Sequence, residues 1–175
     1  LYRSGNYFLN LENRILKAEQ LHAMLLRWIE RYPIVSIEDP FAEDDVAAML
    51  AFTGAAGDRV QIVGDDFFVT DKEKLVTKKG CNAVLLKPNQ VGTLTETLAC
   101  WEAARAAGYR GIVSARSGES EDTTIVHLAV GWGVPQLKVG SFARSERMAK
   151  WNEALRIEEA LGAKALPFPA RKLFR

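Results

Sequence analysis

The sequence is short of several things, and each shortage narrows what the chain can be. It has only two cysteines among 175 residues, Cys81 and Cys100, with no metal-like spacing. They read as free thiols of a reducing cytosol rather than a disulfide framework. No apolar run approaches the ~20 residues that a membrane helix needs, so no membrane partner is expected. Arg3 and Asn6 break any apolar stretch at the start, and no secretory signal is read there. Charge of one sign is also missing. The net charge of +1 offers no excess of Lys and Arg to meet a nucleic-acid backbone. No low-complexity tract interrupts the chain. A last shortage is length: a complete (β/α)₈ barrel takes ~250 residues, so a barrel of this size would be partial.

What is present is a recurring unit. A short β-branched run ends in a polar residue, and a helix-like stretch follows. Leu21, Leu25, Trp28 and Ile29 fall on one face of a helix that Pro33 stops. Strands are expected at 34–37, 60–63, 83–86, 111–113 and 136–137. Helices are expected at 43–54, 71–78, 93–107, 121–130 and 145–161. Leu94, Leu98 and Trp101 would mark the buried face of one helix, and Met148, Trp151 and Leu155 that of the last. Residues 2–13 read as a loop or short strand. Five apolar strands alternating with helices predict an α/β fold of parallel βα units, buried on both sheet faces.

The polar residue closing each strand carries the chemistry. In chain order these are Glu38, Asp65, Lys87, Arg116 with Ser117, and Lys138. Ligands of parallel α/β architectures bind at strand carboxyl ends, so these groups are expected around one mouth. Glu38 and Asp65 are hard oxygen donors suited to Mg²⁺. Lys87 and Lys138 would lie near the metal and near each other, where one of them could act as a base. Arg116 offers a planar fork for phosphate or carboxylate. Alone, each residue has a plainer reading. Glu38-Asp39-Pro40 makes a turn or cap, a strand-end lysine is a solvated rim residue, and Arg116 can pair with Glu119 or Glu121. The ordered set of five points to proton abstraction beside a carboxylate, with a metal stabilising the ene-diolate. His22 and His127 read as surface or packing residues, Trp101 and Trp151 as core, and both cysteines as inert small hydrophobes.

Longer stretches carry a resemblance. Residues 32–41 (YPIVSIEDPF), 61–66 (QIVGDD), 85–90 (LLKPNQ), 92–97 (GTLTET), 116–119 (RSGE), 143–147 (ARSER) and 156–159 (RIEE) together resemble the enolase family in order and spacing. That superfamily is itself the standard case of a Lys or His base working beside Mg²⁺. The resemblance covers about residues 1–162. It implies a partial TIM-type (β/α) barrel, that of the enolase C-terminal domain, with about five βα units. A basic tail follows at 163–175.

The resemblance also implies Mg²⁺-dependent dehydration of 2-phosphoglycerate to phosphoenolpyruvate, by a cytoplasmic homodimer. Glu38 and Asp65 then match metal ligands, and Lys87 matches the base for the C2 proton. Lys138 matches the lysine on the substrate carboxylate. Arg116 and Ser117 match the residues that hold its phosphate. Two features depart from the family pattern. Ala115 stands where the family has a histidine, and Pro88 where it has a larger apolar residue. They leave open a related lyase acting on another phosphorylated or phosphonylated carboxylate. A non-catalytic structural module is a third reading, drawn from the basic tail. The family's N-terminal capping domain, first barrel strands and third metal ligand have no counterpart in these residues, so a barrel fragment is expected.

Overall fold

A computed structural model describes residues 2–164. The first three strands are antiparallel: β1 (Tyr2–Arg3), β2 (Asn6–Leu9) and β3 (Arg14–Leu16). The reading of residues 2–13 as loop or short strand therefore understates this meander. Tyr7 anchors it. The ring is buried edge-on to Phe41, and the hydroxyl donates to Asp45 Oδ2 at 2.9 Å. The Tyr7 hydroxyl oxygen in turn accepts the Ala42 N–H at 3.1 Å.

Helix α1 (Ala18–Arg31) leads to the main sheet. Pro33 stops it as expected, with Tyr32 extended. The main sheet contains β4 (Ser36–Glu38), β5 (Gln61–Gly64), β6 (Ala83–Leu86), β7 (Arg110–Ser114) and β8 (Gln136–Lys138). All neighbours pair in parallel, in sequence order. Each return connection carries a helix: α2 (Val46–Ala56), α3 (Lys72–Lys78), α4 (Pro88–Val91) with α5 (Leu94–Ala106), and α6 (Thr124–Gly131). Helix α7 (Ser145–Leu161) follows β8. The parallel five-stranded sheet is the one the strand pattern predicts, and it is part of a (β/α) barrel, as the resemblance implies. The segment from residue 165 onward, which holds most of the expected basic tail, lies outside the described residues.

Burial follows strand position. β5, β6 and most of β7 are covered on both faces, whereas the outer strands β4 and β8 are only partly covered. Ile62, Val84, Leu86 and Val113 join the main core under the helices. Val63, Ala83, Leu85 and Ile112 form a second cluster on the other face. Period-two alternation separates the two sets.

Helix faces depart from the expected apolar stripes. Trp28, Leu94 and Leu155 are exposed. In α5 the inward residues are Thr97, Cys100, Trp101 and Ala104. Small residues bring this helix close to the sheet, and Trp101 lies over Gly111, where a Cβ would meet its ring at 2.6 Å. In α7 the one buried residue is Lys150, with Trp151, Ala154 and Ile157 packing against the core. Trp101 is core, whereas Trp151 is half-buried against Phe142. His22 packs edge-on to Phe41 and Phe52, and His127 is exposed beside Glu153. Both cysteines are buried and unpaired, and burial pushes the Cys100 thiol up to about 12.

The close approach at the end of β5 gives a direct test. A Cβ on Gly64 would collide with the Phe68 ring, and Phe68 is fully buried. Gly64→Ala is expected to cost about 1–3 kcal/mol by overpacking. Denaturant unfolding measures it, and an unchanged midpoint would show that Phe68 yields freely.

Candidate active site

Parallel pairing in register brings five strand ends to one edge of the sheet. Glu38 ends β4, Asp65 follows β5, Lys87 follows β6, Arg116 and Ser117 follow β7, and Lys138 ends β8. Asp65, Asp66, Lys87, Ala115, Arg116, Ser117 and Lys138 line a single cavity of about 350 Å³. Glu38 stands beside it, joined to Lys138.

Two ion pairs dominate the mouth. Lys87 Nζ donates to Asp65 Oδ2 at 2.5 Å, and both side chains are almost wholly buried. Lys138 Nζ reaches both Glu38 oxygens, the longer contact being 2.7 Å. This second pair is open to solvent. Both lysines thus share one cavity, each facing a carboxylate.

The loops hold these groups through further contacts. Asp39 turns into the left-handed region. Its two carboxylate oxygens accept the backbone N–H groups of Asp65 at 3.0 Å and Asp66 at 2.8 Å. Burial raises the Asp39 carboxyl above the usual carboxylate range, and those two donors offset part of the rise. On the other side, the Lys87 N–H donates to Thr70 Oγ1 at 2.9 Å. Thr70 is fully buried, and both it and Val69 lie in the left-handed region. That conformation is uncommon for β-branched residues. It presents the threonine hydroxyl to the start of the Lys87 loop.

Arg116 is paired with neither Glu119 nor Glu121 through its guanidinium. Its Nη1 donates to the Asn89 carbonyl at 3.3 Å, and its backbone N–H donates to Glu119 Oε1 at 2.7 Å. Arg116 and Ser117 are exposed to the cavity. Arg147, on α7, lines the same space and was given no role by sequence reasoning. It lies over Gly140, where a Cβ would meet its Nη1 at 2.6 Å. Asp39 was equally missed. Its only sequence signal is the Glu-Asp-Pro turn, which does not say what the carboxylate binds.

The donor set can be tested against Mg²⁺. Among the described residues no group of three or more His, Cys, Asp and Glu gathers as a metal cage. Mg²⁺ often takes only one or two protein carboxylates and keeps its waters. Asp65 Oδ1 is buried with no hydrogen-bond partner, and it is the kind of atom a hard cation satisfies. Asp65, with Glu38 nearby, fits part of such a shell.

Comparison with known proteins matches the chain to one family. A family model described as "Enolase, C-terminal TIM barrel domain" matches residues 2–173. The chain belongs to the enolase family. Among its relatives is "Enolase 1" of Desulfitobacterium hafniense (strain Y51), 51% identical over 173 residues. That alignment covers 97% of this chain and 39% of the relative. The chain therefore spans about two fifths of that enolase. The family assignment makes this part of the barrel of an enolase C-terminal domain, in agreement with the fold. No described helix is long and apolar enough to cross a membrane.

The Asp39 clasp makes a specific prediction. Asp39→Ala leaves the Asp65 and Asp66 N–H groups without their acceptor, at an expected cost of about 1–3 kcal/mol. It is also expected to weaken Mg²⁺ binding, measured by calorimetry on a polypeptide of enolase length that contains this chain. Unchanged stability and unchanged binding would show that Asp39 does not hold the Asp65 loop.

Proposed function

We propose that this chain supplies the barrel face of an Mg²⁺-dependent enolase that converts 2-phosphoglycerate to phosphoenolpyruvate. The observation that carries the reading is the paired arrangement at the strand ends. Lys87 on Asp65 and Lys138 on Glu38 share one mouth with Arg116 and Ser117. A lysine, a hard-oxygen pair and a guanidinium in one small cavity suit proton removal next to a carboxylate.

Glu38 and Asp65 would hold the metal. Bound there, Mg²⁺ supplies positive charge against the charge that grows on the substrate carboxylate. Lys87, in its neutral amine form, takes the proton from C2. Its position is secured by Thr70 at the backbone and by Asp65 at Nζ. Lys138 sits across the mouth and contacts the substrate carboxylate. Arg116 and Ser117 hold the phosphate, with the guanidinium available as a fork. As the C2–H bond breaks, its electron pair passes into the substrate carboxylate as an ene-diolate; that pair then returns to form the C2–C3 π bond as the C3–O bond breaks and hydroxide leaves. A homodimer in the cytoplasm belongs to the same reading, on the support of the family alone.

The test is phosphoenolpyruvate formation from 2-phosphoglycerate by the enolase-length polypeptide. Turnover is expected with Mg²⁺ and is expected to vanish on chelation. A folded protein that forms no product with Mg²⁺ present would sink the substrate assignment. Lys87→Ala is expected to abolish exchange of the substrate C2 hydrogen with solvent deuterium, which reads proton removal apart from hydroxide loss. Retained exchange would remove Lys87 as the base.

Ala115 supports a second reading. It lines the cavity between the ends of β7 and β8, where its N–H pairs with the Lys138 carbonyl at 2.9 Å. A methyl group there supplies neither a donor nor a charge to a phosphate. Another phosphorylated or phosphonylated carboxylate is then the substrate. Under this reading the native protein is slow on 2-phosphoglycerate, and Ala115→His raises its turnover. Fast native turnover excludes it.

A further inference from the structure

Helix α7 carries a lysine at the one position that is wholly buried along its length. Lys150 has no solvent exposure, yet it does not line the cavity. Its Nζ donates to the Ser120 carbonyl at 2.6 Å and to the Glu146 carbonyl at 3.0 Å, and it pairs with Glu119 Oε2 at 3.1 Å. Two N–H donors of the ammonium go to these carbonyls, and the Glu119 contact is an ion pair. Two of the three partners, Glu119 and Ser120, belong to the loop after β7.

Glu119 passes this constraint on. Its other oxygen, Oε1, accepts the Arg116 N–H at 2.7 Å and lies 3.4 Å from Asn89 Nδ2. The Glu119 side chain is itself only 12% exposed, so its carboxylate depends on these partners. A continuous line of contacts therefore runs from α7, through Lys150 and Glu119, to the backbone of Arg116. The same helix places Arg147 at the cavity wall. Burial of a charged group is costly, and a leucine or methionine would fill the space more cheaply. The lysine is explained by what it holds.

We propose that Lys150 is a positioning residue, which sets the Arg116–Ser117 turn against α7 through Glu119. The consequence for substrate rests on the proposed role of Arg116 and Ser117 at the phosphate, whereas the consequence for the turn does not. Lys150 itself touches no reacting group. Its removal should loosen the turn, raise KM and lower kcat to a smaller extent.

The experiment uses the enolase-length polypeptide with Lys150→Met, and with Lys150→Met combined with Glu119→Gln. The single variant leaves a buried carboxylate unpaired and is expected to be the less stable of the two. The double variant removes both charges and is expected to regain much of the lost thermal midpoint. Hydrogen exchange at the Arg116 amide reads the turn, and steady-state kinetics read the site. In the double variant the Arg116 amide is expected to exchange about tenfold faster, with KM for 2-phosphoglycerate raised about tenfold, the weight of one charge-assisted hydrogen bond. A double variant whose Arg116 amide stays as protected as in the parent overturns the proposal. A loosened turn with unchanged KM upholds the positioning role and instead removes Arg116 from the phosphate.

Discussion

An ammonium and a carboxylate held 2.5 Å apart between neighbouring strand ends, almost out of water, impose most of what surrounds them. Neither Lys87 nor Asp65 can lose the other without leaving a buried charge, a loss of about 3–5 kcal/mol. Parallel pairing of β5 with β6 sends both chains to the same sheet edge: the ladder ends with Gly64 opposite Val84, Asp65 follows at once, and Lys87 follows at the end of β6. Loops on either side then fix them. Asp39 clasps the backbone at Asp65, and Thr70 receives the backbone of Lys87. Backbone conformations that β-branched residues avoid appear in the segment that supplies this hydroxyl. One oxygen of Asp65 stays unpartnered. That free oxygen is what the proposed metal site rests on.

Much of the barrel was legible because strand burial is a local property. β6 falls on the expected residues, and the other strands of the main sheet and helices α2, α3, α5 and α6 shift at one or both ends by a few positions. The C-terminal helix spans the expected residues. Helix faces were harder to read. Leu94 and Leu155 fit an apolar period and still lie exposed, because α5 and α7 turn small residues and a lysine toward the core. Intrinsic periodicity cannot say which of two adjoining stripes meets the sheet when both contain Ala, Thr or Cys. The antiparallel meander before α1 was under-read for a related reason. Its strands are too short to show alternation, and it is held by Tyr7 reaching residues far along the chain.

Legibility of the site divides in the same way. Residues that end strands could be named from the sequence, since architecture alone sends them to one edge. Residues that hold those groups could not. Asp39, Thr70, Glu119 and Lys150 act through partners on other elements, and no spacing rule links Lys150 to a loop thirty residues earlier. A lysine within the inward part of a helix is the one signal that was available. The sequence pattern suggested that Arg116 could be neutralised by Glu119, whereas the carboxylate takes the Arg116 backbone and leaves the guanidinium to the cavity.

The central claim is that the carboxylates now held by lysines are where the metal belongs. Crystals of the enolase-length polypeptide soaked with Mn²⁺ in place of Mg²⁺ test this directly, because manganese scatters anomalously. The account predicts an anomalous peak against Asp65 Oδ1, with Glu38 in the same shell and released from Lys138. A peak elsewhere, or none with both lysine pairs intact at saturating Mn²⁺, would contradict it.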